Sequence, residues 1–389
     1  SSDVCSSDLQ VASIVGYRAR GARITATALA GALVLAATAL GCAPSRPESH
    51  LVARLQRWHS VEEVAYFMDG AVSAGVSTVH VIAKHDEDDV LPSGTAFYAS
   101  AIAPVWSGAS AWDPLAAAVE EGHRRGLKVY AWVPQFHDQV AAVAHPEWEM
   151  QVAAEGRAVP FSSQSDSYFV NPIDPEVRAY EQSIVEEIVR AYDVDGIDLD
   201  WVRFDNIDMD VGPVSRALAA SEIGIDPLTL DFTRSPDDPE LAAWQAWRTA
   251  KVADHVQSVR RAIDAIRPGV HLAAFILPQS FTEVGQDLAQ FAGALDEVEP
   301  MCYFRDWGFE PTWVVDECMR DVAAKIAAAG ADTRIVPTLG TNETEGDIAV
   351  VVDGLNSEYP DLTAVAWFTH GGWSNEAMAE ATARLEGWR

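Results

Sequence analysis

From about residue 60 onward, short runs rich in β-branched residues alternate with longer stretches whose apolar positions recur every three to four residues. This is the pattern of strands followed by amphipathic crossover helices. It predicts strands at Thr78–Lys84, Lys128–Val133, a short Tyr168–Asn171, Gly196–Trp201, His271–Leu277, Pro300–Phe304, Arg334–Leu339 and Ala364–Thr369. The spacing between them predicts helices over Pro114–Arg125, Pro175–Tyr192, Leu241–Ile266, Thr312–Ala329, Gly346–Ser357 and Asn375–Leu385. Several of these open on an Asp, Asn or Pro, as helix N-termini favour. Eight β/α units predict an α/β protein, a (β/α)8 TIM barrel with a few insertions. A doubly wound open sheet would carry a Gly-rich nucleotide loop after an early strand, and the chain has none. Two long connections, His85–Trp112 and Asn206–Glu240, follow predicted strand C-termini, the end where barrels build their sites.

The region before this alternation is organised differently. Residues 1–9 repeat a Ser-Ser-Asp pattern and are read as a non-native leader. Arg18, Arg20 and Arg23 then precede an apolar run from Ile24 to Leu40 that ends in Ala39-Leu40-Gly41-Cys42. This resembles a bacterial lipoprotein signal over residues 10–42, with Cys42 as the lipidated residue. A plain secretory signal or a short membrane anchor is the alternative. The Pro/Ser/Arg-rich stretch that follows makes 43–60 a linker, and the barrel domain is expected over 61–389. The expected location is the cell envelope, outside the cytoplasm.

Charge narrows the choice of partners. With 58 acids against 27 Lys and Arg, the net charge is −31, and such a surface repels phosphate backbones. Nucleic acid is excluded as the expected partner. Beyond Cys42 only Cys302 and Cys318 remain among the later cysteines, either as a pair in an oxidising compartment or as two buried thiols. A metal-dependent hydrolase would need His ligands clustered at strand ends, and His80 and His85 are not arranged that way. Neither a metal nor another cofactor is expected.

Candidate chemistry concentrates in Tyr192–Phe204, YDVDGIDLDWVRF. A barrel strand is buried on both faces, so Ile197 and Leu199 should pack outward against helices while Asp198 and Asp200 point toward the axis. Carboxylates there are costly unless paired or used. Asp195, before Gly196, reads as a turn or cap residue. Asp198 is either a hydrogen-bonding support or a direct participant. Asp200, last in the strand and nearest the mouth, is the candidate for chemistry, with Arg203 close behind it to favour its ionised form.

Several segments together resemble the bacterial glycosyl-hydrolase-like family 10 domain: WDPLAAAVEEGHRRGLKVYAWV (Trp112–Val133), HPEW (His145–Trp148), NPIDPEVRAY (Asn171–Tyr180), YDVDGIDLDWVRF, AIRPGVHLAAF (Ala265–Phe275) and VAWFTHGGW (Val365–Trp373). The resemblance implies a (β/α)8 barrel that acts on a poly- or oligosaccharide outside the cytoplasm, often as a lipoprotein. It carries onto Asp200 the role of nucleophile or transition-state stabiliser. The strand is also similar to that of chitinase-type barrels, but Val202 stands where those place their acid. The family's usual aromatic-Pro continuation is replaced here by Phe204-Asp205.

Glycoside cleavage ordinarily needs a second carboxyl group. Asp306, after the sixth predicted strand, is the first choice as general acid, with Tyr303 and Trp307 beside it to desolvate it. Glu343, after the seventh, is the runner-up. The acids from Asp86 to Asp89 read as a solvated charge run. Aromatic side chains near strand ends (Trp132, Tyr303, Trp307 and Trp373) are expected to stack on sugar rings, whereas Trp201 and Trp367 read as core. His370 and His137 are support residues or contacts to a substrate hydroxyl. Lys84, Arg203 and Arg305 would make the cleft locally basic. The resulting expectation is an exported hydrolase that cleaves a glycosidic bond with Asp200 as nucleophile or base and Asp306 as acid. The rival is a carbohydrate-binding barrel without catalysis.

Overall fold

The computed structural model describes residues 46–386 and Trp388, apart from 87–90, 110, 279–282, 342–344 and 370. The proposed leader, signal and Cys42 therefore lie outside the described residues, as do Glu343 and His370. Among the described residues no helix is long and apolar enough to cross a membrane.

Among the described residues, eleven strands form one barrel and one hairpin. The barrel strands are β1 (Glu48–Ala53), β2 (Val76–Ile82), β3 (Lys128–Pro134), β6 (Gly196–Asp200), β7 (His271–Ile276), β8 (Glu297–Pro300), β9 (Arg334–Ile335), β10 (Thr338–Gly340) and β11 (Ala364–Phe368). The hairpin is β4 (Gln151–Ala154) with β5 (Arg157–Pro160), antiparallel and inserted after β3. Every barrel pairing is parallel, in the order β10-β11-β1-β2-β3-β6-β7-β8-β9. β9 and β10 are two halves of one barrel strand. Val336 N donates to Val298 O, and Ala366 N donates to Pro337 O, so hydrogen bonding continues from β8 through this strand to β11 and the barrel closes on eight positions.

The count of eight agrees with the sequence reading, but three strands differ. The stretch read as a linker, 43–60, contains β1, which pairs with both β11 and β2. Tyr168–Asn171 is not a barrel strand; only Val170 makes an isolated bridge, to Glu149. The sixth strand lies earlier than expected, at Glu297–Pro300 rather than Pro300–Phe304.

The helices follow the predicted pattern closely. α2 (Pro114–His123), α4 (Pro175–Ala191) and α6 (Pro239–Ile266) each begin with Asp-Pro. Asp113, Asp174 and Asp238 accept from the freed backbone N–H groups, and Pro occupies the first helical position, where no N–H is missed. α8 (Arg320–Ala329), α9 (Glu345–Glu358) and α10 (Asn375–Ala383) complete the outer ring together with α1 (Val61–Ser73), which the sequence reading omitted.

On β6, Ile197 and Leu199 are fully buried in the apolar core, while Asp198 and Asp200 face inward. Gly196 is required at the start of this strand. A Cβ there would lie 2.8 Å from the Tyr130 ring, which fills the barrel interior beside it.

Candidate active site

The C-terminal ends of the strands surround a cavity of about 310 Å³. Asp200 and Asp86 supply its carboxyl groups, Arg54 and Arg203 its guanidinium groups, and Trp132, Trp201, Phe275, Tyr303, Trp307 and Phe368 its aromatic walls.

Asp200 sits at the bottom, 5% exposed. Both of its oxygens accept hydrogen bonds: Oδ2 from Trp132 Nε1 at 3.0 Å and Oδ1 from the Trp201 backbone N–H at 2.7 Å. The second contact is made possible by the turn at Trp201, a non-glycine residue at φ +50°. Such left-handed backbone is held only where the surroundings enforce it. Here they do: the Arg203 guanidinium lies 4.2 Å over the Trp201 ring and the His137 ring 4.5 Å from it.

Burial pushes the Asp200 carboxyl up to about 6, opposed by the Trp201 N–H, Arg203 and Trp132 and reinforced by the nearby Asp86 charge. With two donors aimed at it and Arg203 nearby, Asp200 is a carboxylate above that pH. Both oxygens are already in acceptor roles, as a nucleophile or base requires.

Asp86 overturns the reading of a solvated charge run at that position. It is 5% exposed, lines the same cavity, and is held by Arg54 in a bidentate ion pair at 2.5 and 2.9 Å. Arg54 in turn lies 5.3 Å over the Trp132 ring, so one chain of contacts runs from Asp86 through Arg54 and Trp132 to Asp200. Arg54 lies in the stretch read as a linker, and the sequence offered no cue to it until β1 was recognised as a strand.

Asp306 is exposed and is not among the residues lining this cavity, although its neighbours Tyr303 and Trp307 are. The structure therefore brings Asp86, not Asp306, together with Asp200. Asp198 lies one layer below, fully buried, with Oδ2 2.9 Å from His80 Nδ1. Burial raises its pKa well above the usual carboxylate range, and its place is a support beneath the cavity.

Lys84 is not a cleft base. Its Nζ is fully buried and contacts Glu181 Oε2 at 2.6 Å, Asp138 Oδ2 at 2.8 Å and the Gln135 carbonyl at 2.9 Å. Arg305 is exposed outside the cavity, so Arg54 and Arg203 supply its positive charge.

Of the aromatic candidates, Trp132, Tyr303 and Trp307 line the cavity, and Tyr303 stacks on Phe368 at 5.2 Å. Trp201, read as core, forms part of the wall as well. Trp373 lines a separate, neighbouring hollow of about 480 Å³, where its indole N–H is fixed to the Val52 carbonyl at 2.8 Å. Trp367 is wholly buried, as expected of a core residue. His137 supports Trp201 from behind, with Nε2 2.7 Å from Ser167 Oγ, and burial lowers its pKa to about 3. Cys302 and Cys318 are free buried thiols with Sγ atoms 3.3 Å apart.

Comparison with known proteins agrees with this geometry. The family model for glycosyl hydrolase-like 10 matches residues 78–352. The glycosyl hydrolase DigH of Escherichia coli K12 is 27% identical over 244 residues, covering 58% of this chain and 48% of that protein. The glycosyl hydrolase YngK of Bacillus subtilis is 26% identical over 151 residues, covering 36% and 27%. The chain thus spans half or less of the length of these curated relatives. Among solved structures, the PgaB (BpsB) glycoside hydrolase domain from Bordetella bronchiseptica superposes with a TM-score of 0.67 at 16% identity, over 88% of this chain and 99% of that one, a likeness of fold. The chain belongs to the glycosyl hydrolase-like 10 family.

Proposed function

We propose that this member of the glycosyl hydrolase-like 10 family hydrolyses a glycosidic bond in a polysaccharide or cell-wall glycan, with Asp200 as the nucleophile or base. The observation that carries the reading is the state of Asp200: a buried carboxyl whose two oxygens accept from Trp132 and Trp201 at the floor of an aromatic-walled cavity. Indole and phenol faces suit pyranose rings, and Trp307 and Tyr303 are the stacking surfaces. Asp86 is the second carboxyl on the same cavity. Held by Arg54 in a charge-balanced pair, it fixes the cavity wall beside Trp132.

The relatives named above as glycosyl hydrolases support this reading. So does the excess of acidic surface charge, which suits a neutral glycan better than a strongly anionic one. A cell-envelope location with a lipid anchor on Cys42 rests on the sequence Ala39-Leu40-Gly41-Cys42 after its apolar run. Metabolic labelling with a radioactive fatty acid tests it: label lost in Cys42→Ser supports the anchor, and label retained or never present overturns it.

A second reading, a carbohydrate-binding barrel without catalysis, is favoured by one observation. Both Asp86 oxygens are committed to Arg54, which leaves Asp200 as the one carboxyl lining the cavity, among the described residues, outside an ion pair. The deciding experiment incubates the protein and its Asp200→Asn variant with neutral polysaccharides and peptide-free cell-wall glycan strands, scoring new reducing ends by mass spectrometry. Hydrolysis is expected from the unmodified protein, with a loss of about 10³-fold in the variant, within the range of acid–base contributions. Glycan binding by both proteins with products from neither would establish the second reading.

A further inference from the structure

Below the cavity, inside the barrel, four side chains from four strands meet with 0% exposure: His50 from β1, His80 from β2, Asp198 from β6 and Glu299 from β8. His80 Nδ1 is 2.9 Å from Asp198 Oδ2. Its other nitrogen, Nε2, is 3.1 Å from His50 Nδ1 and 3.5 Å from a Glu299 oxygen.

Proton accounting leaves this cluster incomplete. If His80 donates Nδ1–H to Asp198, its Nε2 presents a lone pair. That lone pair can accept one proton from His50, but it then faces the Glu299 carboxylate acceptor to acceptor. Neither Glu299 oxygen has a hydrogen bond, and neither does Asp198 Oδ1 or His50 Nε2. Polar atoms buried this deeply are almost always satisfied, because leaving them bare costs several kcal/mol by order of magnitude.

One arrangement of protons and one added atom satisfy most of these groups together. With its hydrogen on Nε2, His50 directs that N–H toward Glu48 Oε2, 3.7 Å away, and frees Nδ1 as a lone pair. His80, with its hydrogen on Nδ1, frees Nε2. Each imidazole then has a carboxylate behind it, the outer-shell arrangement that orients metal-binding histidines. The two lone pairs and the Glu299 carboxylate converge, their ligand atoms all within 4.8 Å of one another. A tetrahedral ion with bonds of about 2.0–2.1 Å places its ligands about 3.3 Å apart. The two separations from His80 Nε2, 3.1 and 3.5 Å, bracket that value, and the third lies within 4.8 Å.

We propose that His50 Nδ1, His80 Nε2 and the Glu299 carboxylate bind a divalent transition-metal ion, with zinc favoured by two imidazoles and one carboxylate. The two charges of the ion are balanced by Glu299 in contact and Asp198 behind His80. The ion joins β1, β2 and β8 across the barrel axis. It braces the strand that carries Arg54 at its end without reaching the cavity, and it is captured as the barrel folds. This assignment does not depend on the hydrolase reading.

The test is metal analysis of the full chain, produced without a metal-affinity tag in zinc-supplemented medium and dialysed against EDTA. About one equivalent of a first-row divalent ion is expected in the unmodified protein and less than a tenth in His50→Gln or Glu299→Gln. Less than a tenth in the unmodified protein overturns the proposal. Should the variants fail to fold, anomalous diffraction from crystals of the unmodified protein at the zinc edge decides. A peak among the three residues supports the site; ordinary water density, or a peak elsewhere, overturns it. Thermal unfolding of protein refolded from denaturant gives an independent readout. A midpoint several degrees higher with zinc sulfate than with EDTA supports the site, and equal midpoints count against it.

Discussion

Two clusters of buried ionisable groups lie a few residues apart along β2 and its continuation, and they are built oppositely. At Lys84 the ammonium has three donors and contacts acceptors from Asp138, Glu181 and Gln135, so the cluster is closed by its own members. It ties the end of β2 to α4 and to the start of α3 (Gln139–Ala144), which Asp138 caps. At His80 the partners also touch, but Glu299 has no hydrogen bond on either oxygen and Asp198 has one oxygen bare. A buried cluster that closes on itself acts as scaffold, and one left with converging lone pairs is shaped for something not supplied by the chain. Asp200, one layer above His80, stands between these cases. Both its oxygens are served, yet it borders a cavity open to a ligand.

The largest effect should come from breaking the closed cluster. Lys84→Met removes the cation and strands Asp138 and Glu181 without exposure to water. Breaking a buried pair from one side costs about 3–5 kcal/mol. Denaturant unfolding should show that loss, and the triple variant Lys84→Met, Asp138→Asn, Glu181→Gln should regain part of it. A cost below about 1 kcal/mol would mean the cluster is not the scaffold its geometry suggests.

Asp200 should show the opposite sign. Its carboxyl is raised from 3.8 to about 6, so the folded state disfavours the ionised form. Its stabilising contribution is fully present below pH 4 and is lost as pH rises through 6. Asp200→Asn, which stays neutral, should fall slightly below the unmodified protein at pH 4, where its NH2 leaves one donor unmatched, and exceed it in stability above pH 6. The upper bound is about 3 kcal/mol for a shift of roughly two units. The observed gain should be smaller, because the amide NH2 cannot accept the hydrogen bond that one of the two donors offers. Midpoints measured from pH 4 to pH 8 check this. In the same range, hydrolysis by the unmodified protein should rise through about pH 6 if Asp200 acts as nucleophile or base. A fall would assign it the acid's role.

The contrast between clusters also explains what the sequence made legible. Helices carrying Asp-Pro caps were placed nearly to the residue, because cap chemistry is local. Strands with apolar residues on both faces, such as β3 and β11, were equally clear. The strands that were missed or shifted line the polar part of the interior. β1 reads ESHLVA and β8 reads EVEP, with Glu48, His50, Glu297 and Glu299 among their residues, so both resemble loop. Of the polar positions that hid these strands, His50 and Glu299 build the cluster around His80, while Glu297 binds Tyr130 and Arg334. Asp200 was legible because it ends a strand whose outward residues are unmistakably apolar. Asp86 was not, since an acid beside Glu87, Asp88 and Asp89 gives no local sign that the arginine just after β1 will hold it.

The smallest expected effect concerns Asp195, at the opposite end of β6 from Asp200. The sequence placed it as a turn residue, and it does bind backbone. Its Oδ2 accepts from Val129 N–H at 2.8 Å and lies 2.9 Å from His123 Nε2. Both side chains are about one-third exposed, so water can replace most of what is lost. Asp195→Ala should therefore cost only about 1 kcal/mol, the worth of one hydrogen bond to a charged acceptor at a wetted site. It should leave hydrolysis and metal content unchanged, because Asp195 lies at the barrel end away from the cavity and is not a member of the His80 cluster. A loss of activity without a matching loss of stability would show that the bottom of β6 is coupled to its top. The rigid division between a scaffolding end and a reacting end of this strand would then have to be abandoned.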